Sequence, residues 1–450
     1  MPSSDRATNP ATAEEFERQF TALFPEATIA RRTVSELIAL DLSLVHPSAT
    51  RKDLIVHSGE QALTAVVRSS SLGPVYGFTL IMSRQYDAHE QRFARFFARV
   101  FNDDLKAAPL WGRDEELWLS LQQTRHSRAI GRFSPFHTPI FVKWLRNFEN
   151  AQSLRYEGRQ FSIQLVLTKQ IDWVRQNKAA EFVKFPQRMT LAAALFEEKW
   201  AMALAAEGDV ALVGLGHDRG IVGVVCPNGQ HSSSSIILSP HSDLSGLCDI
   251  LVPGTMAFVA SAKGDLHLIF PTGATFIKTQ GRWALSNRLS LEQSLSADLP
   301  APVARSVARI AFDLSYEGRG ALFCFLEDAS KIGEVIPDHS NKTRSNRPLR
   351  LTSRKLDINQ AGHRKILKRV ATIDGATVFD FTGRVLDAAC MVGDPSSAAL
   401  SSVGLKERRR FPGARSTAAW NASIYGVSVK ISEDGPISIF RKGERIMQTG

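Results

Sequence analysis

The sequence predicts an α/β protein with more than one domain, and three observations support this fold class. Its 450 residues exceed the length at which one hydrophobic core usually keeps growing. Helical apolar periods alternate with short apolar runs typical of strands. The pattern also changes along the chain, which predicts a flexible tail (1–12), a mixed α/β region (13–189), a sheet-rich region (190–295) and a mixed-sheet α/β domain (296–450).

Composition excludes some classes of protein and favours others. A hydrophobic fraction of 44% with 22% charged residues is ordinary for a globular protein and excludes a disordered or fibrous one. The net charge of +10 favours an anionic partner such as a nucleotide, nucleic acid or a membrane surface. A solvated basic surface with no specific ligand is at least as compatible with this charge. Nucleic-acid binding stays open on charge alone, although no known nucleic-acid module is recognisable.

Cysteine spacing and the apolar runs indicate the compartment. The four cysteines are far apart, with no CxxC or Cys/His pattern, so we expect buried reduced thiols instead of a zinc site. The first twenty residues are polar and lack the apolar segment of a secretory signal. No apolar run reaches membrane-spanning length. The sequence therefore predicts a cytoplasmic protein without a membrane partner.

The N-terminal part combines helical and strand patterns. A helical period starts at Ala13, and a second amphipathic helix is predicted over His89–Phe101, with a strand over Tyr76–Ser83 between them. The aromatic stripe of the second helix has the spacing of core packing, so we do not interpret it as a base-stacking platform. A further strand is predicted within Glu157–Thr168, and a long helix over Thr190–Gly208.

Short β-like runs separated by glycines fill the stretch from Asp209 to Trp283. Within it, Gly214–Gly220 superficially resembles a phosphate loop. It lacks the spacing of the Walker and dinucleotide motifs and precedes a strand instead of a helix, so it is interpreted as a hairpin.

The C-terminal part carries the chemically informative motifs. A helix is predicted with Pro302 near its start, followed by a buried strand over Ala321–Leu326 and a long basic loop over Pro337–Lys355. The runs ATVF and VLDAACMV, joined by DFTG, predict a β-hairpin. Asp374 stands at the entrance of the first hairpin strand, where its carboxylate can project toward a ligand.

A second motif follows in Pro412–Ser423, a glycine turn that runs into a helix with Arg415 in its first turn. Unpaired backbone N–H groups, the helix dipole and a guanidinium together suit a phosphate group. Residues Tyr425–Gly443 predict a terminal β-hairpin.

The order of these motifs resembles the diadenylate cyclase domain family. Asp374-Gly375-Ala376 is followed by a Gly-x-Arg-x-x-Ala-Ala helix start and a terminal hairpin, and the earlier GALFCFLED is similar to that family's first strand. The resemblance covers roughly Pro302 to Gly443, about a third of the chain.

The resemblance implies an enzyme that condenses two ATP molecules into cyclic di-AMP with Mg²⁺ or Mn²⁺. Because two such domains act face to face, it also implies a homo-oligomer formed through the C-terminal domain. Asp374 matches the acid that binds the metal and assists the attacking ribose hydroxyl. The residues implied to contact the nucleotide are Gly375, Ala376, Gly413, Arg415, Ser416 and Thr417.

The second motif departs from the family's Gly-Thr-Arg-His-Arg-Ala-Ala. Here it reads Gly-Ala-Arg-Ser-Thr-Ala-Ala, so Ser416 and Thr417 stand where the family has histidine and arginine. Three hypotheses follow: a cyclase controlled by an N-terminal sensor region, a nucleotide-binding sensor without turnover, and an ordinary turn at Asp374 with a surface arginine at 415. The basic run Lys406–Arg410 is a candidate to replace the lost guanidinium, and a solvated surface run is its simpler interpretation.

Overall fold

The structure is a computed structural model, and the described residues divide into two compact units. Unit 1 comprises Met1–Gln230 and Gly246–Leu285, and unit 2 comprises His231–Ser245 and Ser286–Gly450. The residues described are 10–40, 55–59, 61–68, 75–82, 84–107, 115–151, 155–156, 159–160, 162–176, 179–205, 210–217, 220–228, 239–261, 263–286, 288–339 and 347–449.

Helices and strands are numbered along the described chain. The α-helices are α1 Pro10–Leu23, α2 Val34–Leu40, α3 Ala88–Ala107, α4 Glu115–Phe133, α5 Thr138–Ala151, α6 Ile171–Gln176, α7 Lys199–Ala205, α8 Ser245–Asp249, α9 Arg288–Ser296, α10 Ala301–Tyr316, α11 Ile332–Val335, α12 Arg347–Ser353, α13 Ala361–Val370, α14 Ser397–Ser402 and α15 Ala414–Ala422. The strands are β1 Thr28–Arg32, β2 Ile55–Gly59, β3 Ala62–Arg68, β4 Val75–Ile81, β5 Arg155–Tyr156, β6 Arg159–Gln160, β7 Ile163–Thr168, β8 Ala180–Thr190, β9 Ala211–Leu215, β10 Gly220–Pro227, β11 Thr255–Ala260, β12 Leu266–Ile269, β13 Thr275–Thr279, β14 Arg282–Ser286, β15 Ala321–Leu326, β16 Ala376–Asp380, β17 Val385–Cys390, β18 Gly426–Ile431, β19 Ile437–Arg441 and β20 Glu444–Gln448.

Two larger sheets organise the described part of unit 1. The first has the strand order β1-β4-β3-β2, and the second has the order β14-β13-β12-β11-β7-β9-β10-β8. Helix α3 buries Phe93, Phe97 and Phe101, which recur every four residues and are 0% exposed. The helix predicted over His89–Phe101 and the strand predicted over Tyr76–Ser83 are confirmed as α3 and β4. The aromatic stripe of α3 packs in the core.

Strands β9 to β14, which lie between residues 211 and 286, all belong to the second sheet. That sheet also contains β7 and β8, so it crosses the predicted boundary between 189 and 190. Strands β9 and β10 pair antiparallel, with Ile221 opposite Gly214, as the predicted hairpin requires; residues 218 and 219 of its turn lie outside the described residues.

The single long helix predicted over Thr190–Gly208 is wrong. Thr190 ends β8, residues Ala193–Glu197 form a π-helical turn, and Glu198 leaves the helical region at φ −98° and ψ 86° before α7 begins. The wide turn lets Ala194 and Leu195 reach the core, since both are 0% exposed. Gly208 lies outside the described residues.

Unit 2 has a mixed sheet with helices on both faces. Its strand order is β17-β16-β15-β18-β19-β20, in which β15 and β16 run parallel and β15 and β18 antiparallel. Alternate residues of β15 enter different cores: Phe323 and Phe325 pack with the apolar face of α10, whereas Leu322 and Cys324 pack with Trp420 of α15. Both faces of the strand are therefore covered, which explains why all six of its residues are buried.

The predicted elements of this domain largely agree with the structure. Helix α10, strand β15, the hairpin β16–β17, helix α15 and the terminal hairpin β18–β19 all form, and β20 adds a strand that was not predicted. The loop predicted over Pro337–Lys355 is wrong in part, because 347–353 form α12; residues 340–346 lie outside the described residues. The mixed α/β fold class is confirmed.

The four cysteines are free thiols that differ in burial. Cys324 and Cys390 are buried free thiols as predicted, whereas Cys226 is exposed. Among the described helices, none combines the length and the apolar character needed to cross a membrane.

Candidate functional site

Three segments of unit 2 meet at one end of its sheet. Because β15 and β16 are parallel, the residues directly before Ala321 and Ala376 lie at the same end. Ala321 also pairs with Ile431, the last residue of the antiparallel β18, so the turn 432–435 lies there too. We call this end of the sheet the motif edge.

The motif Asp374-Gly375-Ala376 enters β16 at the motif edge. Asp374 is exposed, and within the described part of the chain its carboxylate has neither an ion pair nor a hydrogen bond. Gly375 has φ +110°, and a Cβ there would lie 2.7 Å from the backbone nitrogen of Cys390 in β17. A residue with a Cβ would be strained at this left-handed φ and would clash with β17, so the turn requires glycine.

The second motif forms the start of α15. Gly413 precedes the helix with φ +102°, and no side chain caps the helix N-terminus. The first backbone N–H groups of α15 thus have no capping side chain, as the phosphate hypothesis requires.

Arg415 links the second motif to the motif edge. Its guanidinium packs on the backbone of Gly320, directly before β15, where an added Cβ would lie 2.7 Å from the Arg415 Cζ atom. Nη1 of Arg415 donates to the Glu433 carboxylate at 3.4 Å. With the side chains of Arg415 and Glu433 35% and 71% exposed, this ion pair is a weak surface contact that an anionic ligand can replace.

The two residues that depart from the family motif behave differently. The Thr417 hydroxyl is hydrogen-bonded within the chain: it accepts from the Phe411 N–H at 3.1 Å and contacts the carbonyls of Phe411 and Gly413 at 3.3 and 3.4 Å. It therefore stabilises the turn before α15. Ser416 is partly exposed one residue earlier.

Lys430 adds positive charge near the motif edge and was not predicted. Burial lowers the pKa of its ammonium, with the Asp434 carboxylate opposing this and the charge of Arg415 lowering it further. Lys430 pairs with Leu322, two residues after Gly320, and Arg415 packs against Gly320, so two cations lie near this end of the sheet. An anion bound there would meet both.

A buried ionic cluster holds the strand against which Gly375 packs. Asp387 of β17 is 0% exposed and accepts from Arg350 of α12 at 2.8 and 2.5 Å and from the Ala388 N–H at 2.9 Å. The His339 Nδ1 atom lies 2.7 Å from the same carboxylate. Burial raises the pKa of Asp387, but the hydrogen bonds from Arg350 and His339 lower it, and the net effect is a lowered pKa.

A divalent metal ion at the motif edge would depend on Asp374. The described residues contain no group of three or more His, Cys, Asp or Glu side chains that could hold a metal ion by themselves. Mg²⁺ and Mn²⁺ in nucleotide sites typically use one or two carboxylates, several waters and the substrate phosphates. An exposed carboxylate without a partner fits that donor set, with the metal arriving together with the triphosphate.

Asp374, Gly375 and the Arg415 guanidinium thus lie at one end of the sheet, while two neighbours were missed. Asp374 and Gly375 precede β16, and Gly413 and Arg415 begin the helix that reaches Gly320. Ala376 is buried in β16. Sequence reasoning missed Gly320 and Lys430; the only signal was the glycine turn before Ala321, which the strand pattern alone does not connect to Arg415.

The basic run Lys406–Arg410 is exposed throughout. Arg408 forms an ion pair with Asp394, and its hydrogen bond lowers the pKa of that carboxyl group. The exposure and the contacts of this run therefore agree with the simpler interpretation, a solvated surface segment.

Comparisons with known proteins give no family for this chain. No protein-family model matches it, and no curated protein is significantly similar to it in sequence.

Proposed function

We propose that unit 2 is a diadenylate cyclase-like domain that condenses two ATP molecules into cyclic di-AMP. The observation that carries the proposal is the placement of Asp374 and the Arg415 guanidinium at the same end of the sheet. The two are far apart in the sequence, so nothing but the fold brings them to one edge. The region before the domain would act as its sensor.

In this proposal the N-terminus of α15 and the Arg415 guanidinium bind the phosphates. The uncapped N–H groups after Gly413 and the Arg415 guanidinium would bind the triphosphate, with Glu433 released from its weak ion pair. Lys430 would add a second positive charge. A Mg²⁺ or Mn²⁺ ion, held by Asp374 and the phosphates, would supply Lewis-acid neutralisation of the triphosphate charge.

The proposed reaction is a nucleotidyl transfer without a covalent enzyme intermediate. The 3′-hydroxyl oxygen of one ATP bonds to the α-phosphorus of the other, and the bond from that phosphorus to pyrophosphate breaks. The Asp374 carboxylate accepts the hydroxyl proton, and Arg415 stabilises the charge that develops on the phosphates. A second, symmetric transfer closes the ring, so two ATP give one cyclic di-AMP and two pyrophosphates. Because each domain presents one ATP, two copies of unit 2 would act face to face.

A second candidate function is a nucleotide-binding sensor without turnover. The specific observation in its favour is Thr417, which replaces the family's second arginine and whose hydroxyl is already hydrogen-bonded to Phe411 and Gly413. Thr417 therefore offers a phosphate ligand no positive charge, and its hydroxyl is already engaged within the chain. The remaining guanidinium would then bind the nucleotide without supporting the reaction.

Product analysis separates the candidates. The full chain is incubated with ATP and either Mn²⁺ or Mg²⁺, and the products are separated by chromatography. The cyclase predicts cyclic di-AMP from the wild type and from Glu334→Gln, an exposed control, but none from Asp374→Asn. The sensor predicts ATP binding without product, weakened by Arg415→Ala. If the protein binds no nucleotide, both candidates are wrong, and the remaining hypothesis is an ordinary turn at Asp374 with a surface arginine at position 415.

A further inference from the structure

Unit 2 contains a second positively charged feature, a cavity of about 240 Å³ between helices. Arginines come to it from three helices: Arg288 from α9, Arg305 and Arg309 from α10, and Arg364 from α13. On α10, residues 305, 309 and 312 recur at spacings of four and three, so they share one helix face. The other lining residues are Ser239, Glu292, Ser306, Ala308, Phe312 and Asp313. We call this space the arginine cavity.

The charges lining the arginine cavity are unbalanced. Four arginines face two carboxylates, a net charge of +2. Glu292 is taken up by Arg305, whose Nε lies 3.1 Å from it. Asp313 accepts from the backbone N–H and the hydroxyl of Ser242 at 2.8 and 3.0 Å, so its oxygens are also engaged.

Arg309 and Arg364 consequently have no carboxylate partner among the described residues. Nη1 of Arg364 donates to the Asn359 carbonyl at 2.8 Å and lies 3.4 Å from the Ser306 hydroxyl, both neutral acceptors. Burial lowers the pKa of Arg364, and the charge of Arg309 lowers it further. Two guanidiniums that repel each other in a partly enclosed space favour an anion between them.

The walls of the cavity give it a closed end and an open end. Arg288 is 3% exposed, and its guanidinium carbon lies 4.1 Å from the centre of the Phe312 ring. This cation–π contact fixes the arginine at the closed end. The Arg305 side chain, 59% exposed, marks the open end through which a ligand can enter.

We propose that the arginine cavity is a binding site for a small molecule bearing a phosphate group, separate from the nucleotide site. Guanidiniums from three helices offer more donors than the two oxygens of a planar carboxylate accept, whereas a phosphate has three or four oxygens. A phosphate carries about −1.5 to −2 charges at neutral pH, which matches the lining charge of +2. The cavity is smaller than the roughly 300–1,000 Å³ of sites for drug-sized ligands, so it suits inorganic phosphate or a small phosphoester, not a whole nucleotide.

The test is calorimetric titration of the full chain with inorganic phosphate, in chloride buffer at constant ionic strength. Saturable binding is expected in the wild type, weakened about tenfold or more in Arg309→Gln and in Arg364→Gln. Lys365→Gln removes an exposed charge from the same helix and keeps the wild-type affinity. Arg309→Lys retains the charge but loses the forked donor pair, so its phosphate affinity falls between those of Arg309→Gln and the wild type. Should Arg309→Gln fail to give a wild-type circular dichroism spectrum, Arg309→Lys takes its place in the test.

Parallel titrations identify the ligand and separate this site from the proposed nucleotide site. Glycerol phosphate binding more tightly than phosphate assigns a phosphoester, and equal binding assigns the free ion. Phosphate affinity unchanged in Arg415→Ala and Asp374→Asn supports the arginine cavity whether or not cyclic di-AMP is formed. The proposal is overturned if wild-type binding is absent, if Arg309→Gln and Arg364→Gln bind phosphate normally, if only Arg415→Ala loses binding, or if citrate binds more tightly than phosphate.

Discussion

The Arg415 guanidinium packs against the backbone of Gly320, although the two residues belong to different elements of unit 2. Gly320 precedes β15, and Asp374 precedes the parallel strand β16. This contact places the Arg415 guanidinium at the same end of the sheet as the Asp374 carboxylate.

The first prediction concerns the space that Gly320 leaves for Arg415. In Gly320→Ala the new Cβ would lie 2.7 Å from Cζ of Arg415, so the guanidinium must move. We expect ATP affinity, measured by calorimetry, to fall about tenfold, which corresponds to about 1.4 kcal/mol. Gly333→Ala in α11 is the control, because no atom lies within 4 Å of its added Cβ. Equal ATP affinity in Gly320→Ala and the wild type would mean that Arg415 does not contact the nucleotide.

The second prediction concerns the turn before β16. Gly375→Ala combines a left-handed φ of +110° with a Cβ 2.7 Å from the Cys390 nitrogen. We expect the free energy of unfolding in urea to fall by about 3 kcal/mol, since strain and a backbone clash add. Gly404→Ala is matched for positive φ but meets open space, so it should cost only about 1 kcal/mol. Equal losses in the free energy of unfolding in both variants would show that the close approach of Gly375 to β17 adds nothing to the cost.

How far the sequence predicts this fold depends on whether a buried face is apolar. Helix α10 and strand β15 were predictable, because Pro302 marks a helix start and apolar residues recur at helical and strand spacing. Helix α12 was missed for the opposite reason: its buried residues are Arg350 and Ser353, so no apolar period reveals it. The interrupted helix after Thr190 was missed because packing of Ala194 and Leu195 overrides helix propensity.

The candidate site was predictable only in part. The residue types of the two motifs indicate phosphate and metal chemistry, and the resemblance supplied their roles. The contact with Gly320 and the charge of Lys430 depend on strand pairing between distant segments, which local patterns do not encode. The same holds for the arginine cavity, since its arginines come from three helices.

The third prediction concerns the ionic cluster beneath the Gly375 turn. Asp387→Asn leaves Arg350, whose side chain is 4% exposed, without its bidentate counter-charge. We expect a loss of about 3 kcal/mol in the free energy of unfolding, as for one partner removed from a buried ion pair. Glu334→Gln, which breaks an exposed pair with Lys331, should cost less than about 1 kcal/mol. A loss in Asp387→Asn no larger than in this control would show that the cluster adds little to stability.

The fourth prediction is a pH dependence that arises from His126 in unit 1. Burial lowers the pKa of its imidazole to about 4, whereas an unfolded histidine titrates near 6.5. Between these values the unfolded chain binds more protons than the folded one, so stability is fully present above about pH 6.5 and falls toward pH 4. The shift corresponds to a loss of about 3 kcal/mol, measurable by urea unfolding at several pH values. In His126→Gln this part of the slope should disappear, and an unchanged slope would assign it to other groups.

The central claim is that Asp374 and Arg415 act on the same nucleotide-binding edge of the sheet, and ATP calorimetry with and without Mn²⁺ tests it most directly. We predict that Arg415→Ala weakens ATP binding under both conditions, by about tenfold. Asp374→Asn should retain metal-free binding but lose the gain in affinity that Mn²⁺ gives the wild type. Wild-type protein that binds no ATP, or two variants that both bind it like the wild type with and without Mn²⁺, would contradict the claim.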